Sequence, residues 1–235
     1  MKNRMQEKVL LLLSFTFILN ECTYESTCPV VEGWGTFGLI GTSKDLFGNL
    51  NDNDKAVFLD STGVEIHYTL SRIDRYYERN FNCDHDGNGI INSGDPLVFN
   101  TQLQSYSIQY YSSDFYNMHL NLSVGVPSDF DPLTKDNFEN NIFDRLTLGI
   151  DAYYYQPAMI WIVDKRNGPE PSSQYKVHYS EELTLGTKSF SHVYWDDKLL
   201  SNGYSKYIIY FNQEFGVIGV KQAENGSLIY FDHFE

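Results

Sequence analysis

A period of two constrains this chain more than any other feature. Val64, Ile66, Tyr68 and Leu70 alternate with polar residues, as do Tyr106, Ile108 and Tyr110, and so does the stretch 119–124. Successive side chains of an extended strand point to opposite faces, so each such segment lays one apolar face against a core. Further segments rich in Tyr, Ile, Val and Phe cover 56–59, 153–163, 175–185 and 190–195, separated by clusters of Gly, Asn, Asp and Pro. Near the C-terminus, 206–221 holds two more, with a turn expected at 212–215. Asn225-Gly226 then leads into 228–231, and Asn-Gly supplies the positive φ pair of a tight two-residue hairpin. The expectation is a mainly β chain, an antiparallel sheet folded as a sandwich or half-barrel.

Helix signals are few. Asp136 is placed to cap a helix over 137–147, with Phe138, Ile142, Phe143 and Leu146 on one side, and Asp95-Pro96 to start a short helix toward Gln104. Leu70, Ile73, Tyr77 and Phe81 would also share one helical face. No internal repeat or proline-rich linker divides the chain, and 16% aromatic content supports a packed core rather than disorder. Residues 34–235 are expected to form a single β-rich domain.

The N-terminus reads as an export address. Lys2, Arg4 and Lys8 precede the apolar run 9–19, whose eleven residues fall short of the roughly 20 needed to span a bilayer. Residues 1–21 are therefore expected to be a signal peptide. Leu19-Asn20-Glu21-Cys22 resembles the lipobox of bacterial lipoproteins, in which an apolar residue stands three before a cysteine; it departs at Glu21, where that family has Gly, Ala or Ser. The resemblance implies lipidation of Cys22, a tether over 22–33, and residence in the cell envelope as an outer-membrane lipoprotein facing either the periplasm or the outside. Secretion is the alternative.

Three cysteines leave one over in an exported chain, and lipidation of Cys22 removes the odd one. Cys28 and Cys83 then remain, either as a disulfide contributing roughly 4 kcal/mol or as two free buried thiols. The formal net charge is −14, and loss of 1–21 removes three basic and two acidic groups, leaving it one unit more negative. Such a chain repels nucleic acid and anionic lipid, which are bound by neutralising phosphate with Lys and Arg, and attracts cations.

The C-terminal pattern carries a second resemblance. Leu185-Gly-Thr-Lys-Ser-Phe190 with His192-Val193-Tyr194, the run 209–219 (Ile-Tyr-Phe-Asn-Gln-Glu-Phe-Gly-Val-Ile-Gly) and Asn225-Gly226 look like the closing strands of uncharacterised Bacteroidota lipoproteins. It covers about the last 50 residues and implies an address and a β fold, with no chemistry.

One motif does carry chemistry. The twelve residues Asp84-His-Asp86-Gly-Asn88-Gly89-Ile90-Ile91-Asn92-Ser-Gly-Asp95 match the calcium loop of EF-hands and dockerins. Ca²⁺ takes six to eight hard oxygens, which alternate side chains of a tightly turned loop deliver. Asp84, Asp86 and Asn88 supply positions 1, 3 and 5, Gly89 allows the sharp turn, Ile90 offers its carbonyl, Asn92 acts through water and Asp95 closes the shell. Position 12 is Asp rather than Glu and position 13 is Pro96, so the expectation is a single EF-hand-like loop inserted in a β domain. Its ion would be structural and weakly held, with a Kd on the order of 10⁻⁴ to 10⁻³ M.

The chain lacks Gly-x-Ser-x-Gly, His-Glu-x-x-His, a Gly-rich phosphate loop and Cys-x-x-Cys, which leaves the motif-based enzyme classes without support. Six histidines at 67, 85, 119, 178, 192 and 233 are scattered. The pairs Glu181-Glu182 and Asp196-Asp197 would point to opposite strand faces and so could not act on one bond. Trp34, Trp161, Trp195 and Tyr153-Tyr154-Tyr155 are candidate platforms for a sugar or peptide, with burial in the core as the alternative. The functional expectation is a non-enzymatic, calcium-binding envelope protein, a ligand-binding or adhesion module for a glycan or protein. A structural role in an envelope complex, or a carboxylate-based hydrolase, is the alternative.

Overall fold

A computed structural model describes residues 32–47, 49–82, 97–126, 135–152, 154–167, 177–203 and 205–235. The chain divides into two compact units, Met1–Gly33 with Asn80–Asn100, and Trp34–Arg79 with Thr101–Glu235. The second holds nearly all of the described sheet.

The strands are β1 (Glu32–Phe37), β2 (Lys55–Asp60), β3 (Glu65–Asn82), β4 (Leu97–Tyr111), β5 (Asn117–Gly125), β6 (Phe143–Ala152), β7 (Tyr154–Lys165), β8 (His178–Leu185), β9 (Lys188–Trp195), β10 (Tyr207–Asn212), β11 (Gly216–Gln222) and β12 (Leu228–Phe234). They form one antiparallel sheet in the order β7-β6-β5-β4-β3-β2-β12-β11-β10-β9-β8, with β1 paired to β4 off this path. Two meanders of consecutive strands, β2 to β7 and β8 to β12, are thus joined by a single pair. In that seam Phe58 lies opposite Phe231 and Leu59 opposite Tyr230. The Glu235 N–H donates to the Lys55 carbonyl at 2.9 Å and extends it.

Within the larger unit the sheet curls so that the two meanders face each other. Tyr110 of β4 is fully buried, and its hydroxyl accepts from the Val217 N–H of β11 at 3.4 Å. Tyr116, between β4 and β5, meets Tyr207 of β10 edge-on at 5.8 Å. The core of this half-barrel is aromatic as well as aliphatic, with Phe58, Tyr68, Tyr110 and Phe211 among its most buried side chains. Close approach of the two halves dictates Gly216. Its φ is +77°, and a Cβ there would stand 2.5 Å from the Tyr110 hydroxyl and 2.8 Å from Leu50 Cδ1.

Three helical expectations are corrected. Helix α1 covers only Lys135–Asn141, and Phe143–Ala152 is strand β6, paired on both sides. Phe138, Ile142 and Leu146 do fit a helical face, but Leu146, Leu148 and Ile150 continue at period two and are all buried, so cross-strand pairing overrides the local pattern. Phe138 alone carries the helix's apolar contact, packing against Trp34 and Phe37. The helix expected from Asp95-Pro96 toward Gln104 is the start of β4, where buried Thr101 and Leu103 flank exposed Gln102. The helical face through Leu70, Ile73, Tyr77 and Phe81 is also absent, because β3 runs unbroken to Asn82. The Asn225-Gly226 turn forms, but as a four-residue connection closed by the Gln222 N–H on the Ser227 carbonyl at 2.8 Å. Only Gly226 takes positive φ, while the Asn225 side chain accepts from the Ser227 N–H at 2.9 Å.

Candidate functional site

The hairpin of β8 and β9 organises the site. Leu185 pairs with Lys188 across Gly186-Thr187, a two-residue turn with Gly186 at φ +60°. Counting outward from the turn sets Tyr179 opposite Tyr194 and His178 opposite Trp195. Because side chains alternate along a strand, these two pairs occupy opposite faces.

On one face the rings form a continuous row. Trp161 of β7 stacks on Tyr194 with centroids 4.4 Å apart and planes 21° from parallel, and Tyr194 meets Tyr179 at 5.0 Å. Tyr179, 48% exposed, lies nearly parallel to the His192 ring at 6.2 Å and shares a 2.7 Å hydrogen bond with its Nδ1. Since β7 and β8 are the two ends of the strand path, this row bridges the free margins of the curled sheet. Burial, reinforced by the neighbouring Tyr179, raises the Tyr194 hydroxyl above its ordinary range and keeps it neutral.

His192 reaches the row through an unusual backbone. Its φ is +52° inside a strand whose register is otherwise unbroken. A non-glycine residue held there costs of order 1–3 kcal/mol, and such strain persists where the surroundings over-determine it. It turns both Ser191 and His192 outward between buried Phe190 and Val193.

The opposite face carries a shorter set. His178 stacks on Trp195 at 5.3 Å, and Trp195 meets Tyr210 of β10 at 6.0 Å. Asp196 and Asp197 lie just beyond β9 rather than on a strand, so strand alternation does not separate them. Asp196 is buried and accepts from the Lys198 N–H at 2.8 Å, opening helix α2 (Lys198–Ser201), whereas exposed Asp197 binds His178 Nε2 at 2.8 Å.

Two further carboxylates meet at the far end of β6 and β7, where Asp144 lies opposite Asp164. Both serve the segment that crosses over them. Asp144 Oδ2 accepts from the Ile40 N–H at 2.7 Å. Asp164 Oδ2 accepts from the hydroxyls of Thr42 and Ser43 and from the Ser43 N–H at 2.9–3.2 Å. Arg166 completes the clasp, donating to the Gly38 carbonyl at 2.8 Å with Nη1 3.7 Å from Asp144 Oδ1. A carboxylate pair that hydrolyses a glycoside must flank an open cleft. This pair is occupied in anchoring the turn Gly41–Asp45, which is a structural task.

Of the candidate platforms, Trp161 and Trp195 are half-exposed, whereas Trp34 is buried against Phe138. Tyr153 and the side chains of Tyr154 and Tyr155 lie outside the described residues, as do Cys22, Cys28, Cys83 and the whole loop of Asp84, Asp86, Asn88, Ile90, Asn92 and Asp95. Among the described residues no group of three or more His, Cys, Asp or Glu is arranged to hold a metal. No sequence pattern marks Tyr179, Tyr194 or His192 as a binding residue. Reading Gly186-Thr187 as a two-residue hairpin would have found the Tyr179–Tyr194 pair. Comparison of the chain with protein-family models, with curated proteins and with solved structures finds no match.

Proposed function

We propose that this chain is an exported, lipid-anchored, calcium-stabilised binding module of the cell envelope that holds a glycan against its aromatic row. The observation that carries the reading is the Trp161–Tyr194–Tyr179–His192 row, a run of ring faces on one side of the sheet margin. Half-exposed aromatic rings supply large, rigid contact area at low entropic cost, and the Tyr179–His192 pair adds polar atoms to orient hydroxyls. The N-terminal signal pattern and the lipobox-like Cys22 supply the address. The Asp84–Asp95 spacing supplies the ion, which would fix its loop through Asp84, Asp86, Asn88, the Ile90 carbonyl, Asn92 and Asp95. The chemistry implied is adhesion rather than turnover.

Tryptophan fluorescence across a panel of neutral and acidic oligosaccharides tests the row, because Trp161 would sit under the ligand. Saturable quenching is expected, and calorimetric titration, which does not depend on Trp161 as the reporter, should show Trp161→Ala or Tyr179→Ala weakening affinity about 30-fold, the effect of losing one aromatic anchor worth about 2 kcal/mol. Unchanged affinity in both variants would sink the reading. Calorimetric titration of Ca²⁺ into chelator-treated protein tests the loop independently. One site is expected, with a raised melting temperature, and both effects should vanish in Asp84→Ala/Asp86→Ala; no heat at millimolar Ca²⁺ would dispose of the calcium assignment.

A further inference from the structure

A second site lies away from the aromatic row, under the segment 39–47, and it differs in chemistry. A pocket of about 140 Å³ opens there between that segment and strands β3, β4 and β5. Its apolar lining includes Phe47 and Tyr106, whose rings stack at 5.2 Å, together with Leu122. Arg72 and Lys44 bring positive charge to it, and Asp74 with Gln104 forms a polar corner.

Neither cation is matched. The Arg72 guanidinium sits 4.6 Å from the centroid of the Tyr106 ring and touches one protein oxygen, the Leu50 carbonyl, at 3.5 Å. Among the described residues neither Arg72 nor Lys44 has an ion-pair partner. Asp74 is bound by the Gln104 amide at 3.2 Å, and that amide is oriented in turn by the Leu39 N–H at 3.1 Å. The pocket therefore carries two cations against one carboxylate in a chain of net charge −14. Tyr106, which helps line it, is only 7% exposed, and its buried hydroxyl has no hydrogen-bond partner among the described residues. A buried hydroxyl left unpaired costs about 1–3 kcal/mol, so its retention needs a reason.

We propose that this pocket binds a carboxylate carried on a small hydroxylated framework, the chemistry shared by hydroxy acids and uronic acids. The planar fork of Arg72 matches a carboxylate in a bidentate way, and Lys44 adds a point charge on the turn side. The Asp74–Gln104 corner accepts a hydroxyl from the ligand. Asp74 also works by exclusion, since a dianion such as phosphate would be brought close to it and repelled. The volume suits a single small acid or one terminal acidic sugar. This site involves β3 to β5 rather than β7 to β9, and it stands whether or not the aromatic row binds a glycan.

Calorimetric titration of the full-length protein with D-glucuronate, D-glucose, lactate and phosphate tests the assignment. Glucuronate is expected to saturate, glucose not to bind, and phosphate to bind at least about tenfold more weakly than glucuronate. Lactate binding as tightly as glucuronate assigns the site to free hydroxy acids; lactate failing assigns it to acidic sugars. Arg72→Gln should lose at least about tenfold in affinity and exposed Lys44→Gln about threefold, with melting temperatures showing that both variants fold. Asp74→Asn should admit phosphate, a change of selectivity that a purely structural aspartate would not produce. Glucose binding as well as glucuronate, Arg72→Gln binding as wild type, phosphate equal to glucuronate in the wild type, or no binding of any acid at tens of millimolar would each overturn the proposal.

Discussion

Replacing Gly216 by valine is expected to remove about 4 kcal/mol of stability, measured as the shift of the urea midpoint. Two effects add. A positive φ of +77° costs a non-glycine residue of order 1–3 kcal/mol, and the new Cβ arrives 2.5 Å from the Tyr110 hydroxyl. Tyr110 has nowhere to retreat, being fully buried and meeting Tyr68 edge-on at 6.2 Å. Gly216→Ala should cost about 3 kcal/mol by the same two routes. Tyr110→Phe removes the atom of closest approach, so combined with Gly216→Ala it should recover part of the loss, a coupling that non-neighbouring sites do not show. A midpoint for Gly216→Val within about 1 kcal/mol of wild type would mean that the meanders are not packed this closely.

The second large effect is expected at the clasp. Asp144→Ala should cost about 3–5 kcal/mol, because it leaves the Arg166 guanidinium buried without its carboxylate and frees the Ile40 N–H. Replacing both partners by leucine should be far milder, since a buried ion pair whose facing atoms stand 3.7 Å apart gains little over packed apolar groups. Equal losses in the single and double variants would show that the pair is not coupled.

The clasp also has a defined response to pH. Burial raises the Asp144 carboxyl above its ordinary 3.8, outweighing the hydrogen bonds from Ile40 and Ser43 and the nearby Arg166. As pH rises the unfolded chain gives up this proton first, so the favourable contribution is complete below the ordinary value and is lost as pH passes through the folded one. The opposite holds for Asp232, lowered by its bonds to Lys188 and His233, whose contribution is present at neutral pH and lost in acid. The melting temperature of wild type relative to Asp144→Asn should therefore fall as pH rises above the ordinary carboxyl value. The reverse trend would contradict the burial of this carboxyl.

The strands of this fold are legible where one face is buried and the other wet. Tyr106, Ile108 and Tyr110 on β4 and Ile66, Tyr68 and Leu70 on β3 announce themselves because period two follows from a half-buried sheet. β6 is less legible, since Ile142 and Leu146 satisfy both periods and only pairing with β5 and β7 decides between them. The aromatic row depends on register, which turns set, and on a backbone excursion at His192 that no local pattern announces. The clasp joins residues more than 100 positions apart, Ile40 to Asp144 and Ser43 to Asp164, so no local window holds it. Arg72 and Tyr106 likewise meet only because β3 lies beside β4.

The seam between β2 and β12 has a kinetic consequence. Every other neighbour along the strand path follows its partner directly in sequence, so each can zip as a hairpin, whereas β2 must wait until residues 228–234 exist. Until then its edge, carrying Ala56, Val57 and Phe58, stands open to any extended chain. The same single joint makes exchange simple. Two chains that traded their β8 to β12 meanders would recreate every pairing of the strand path.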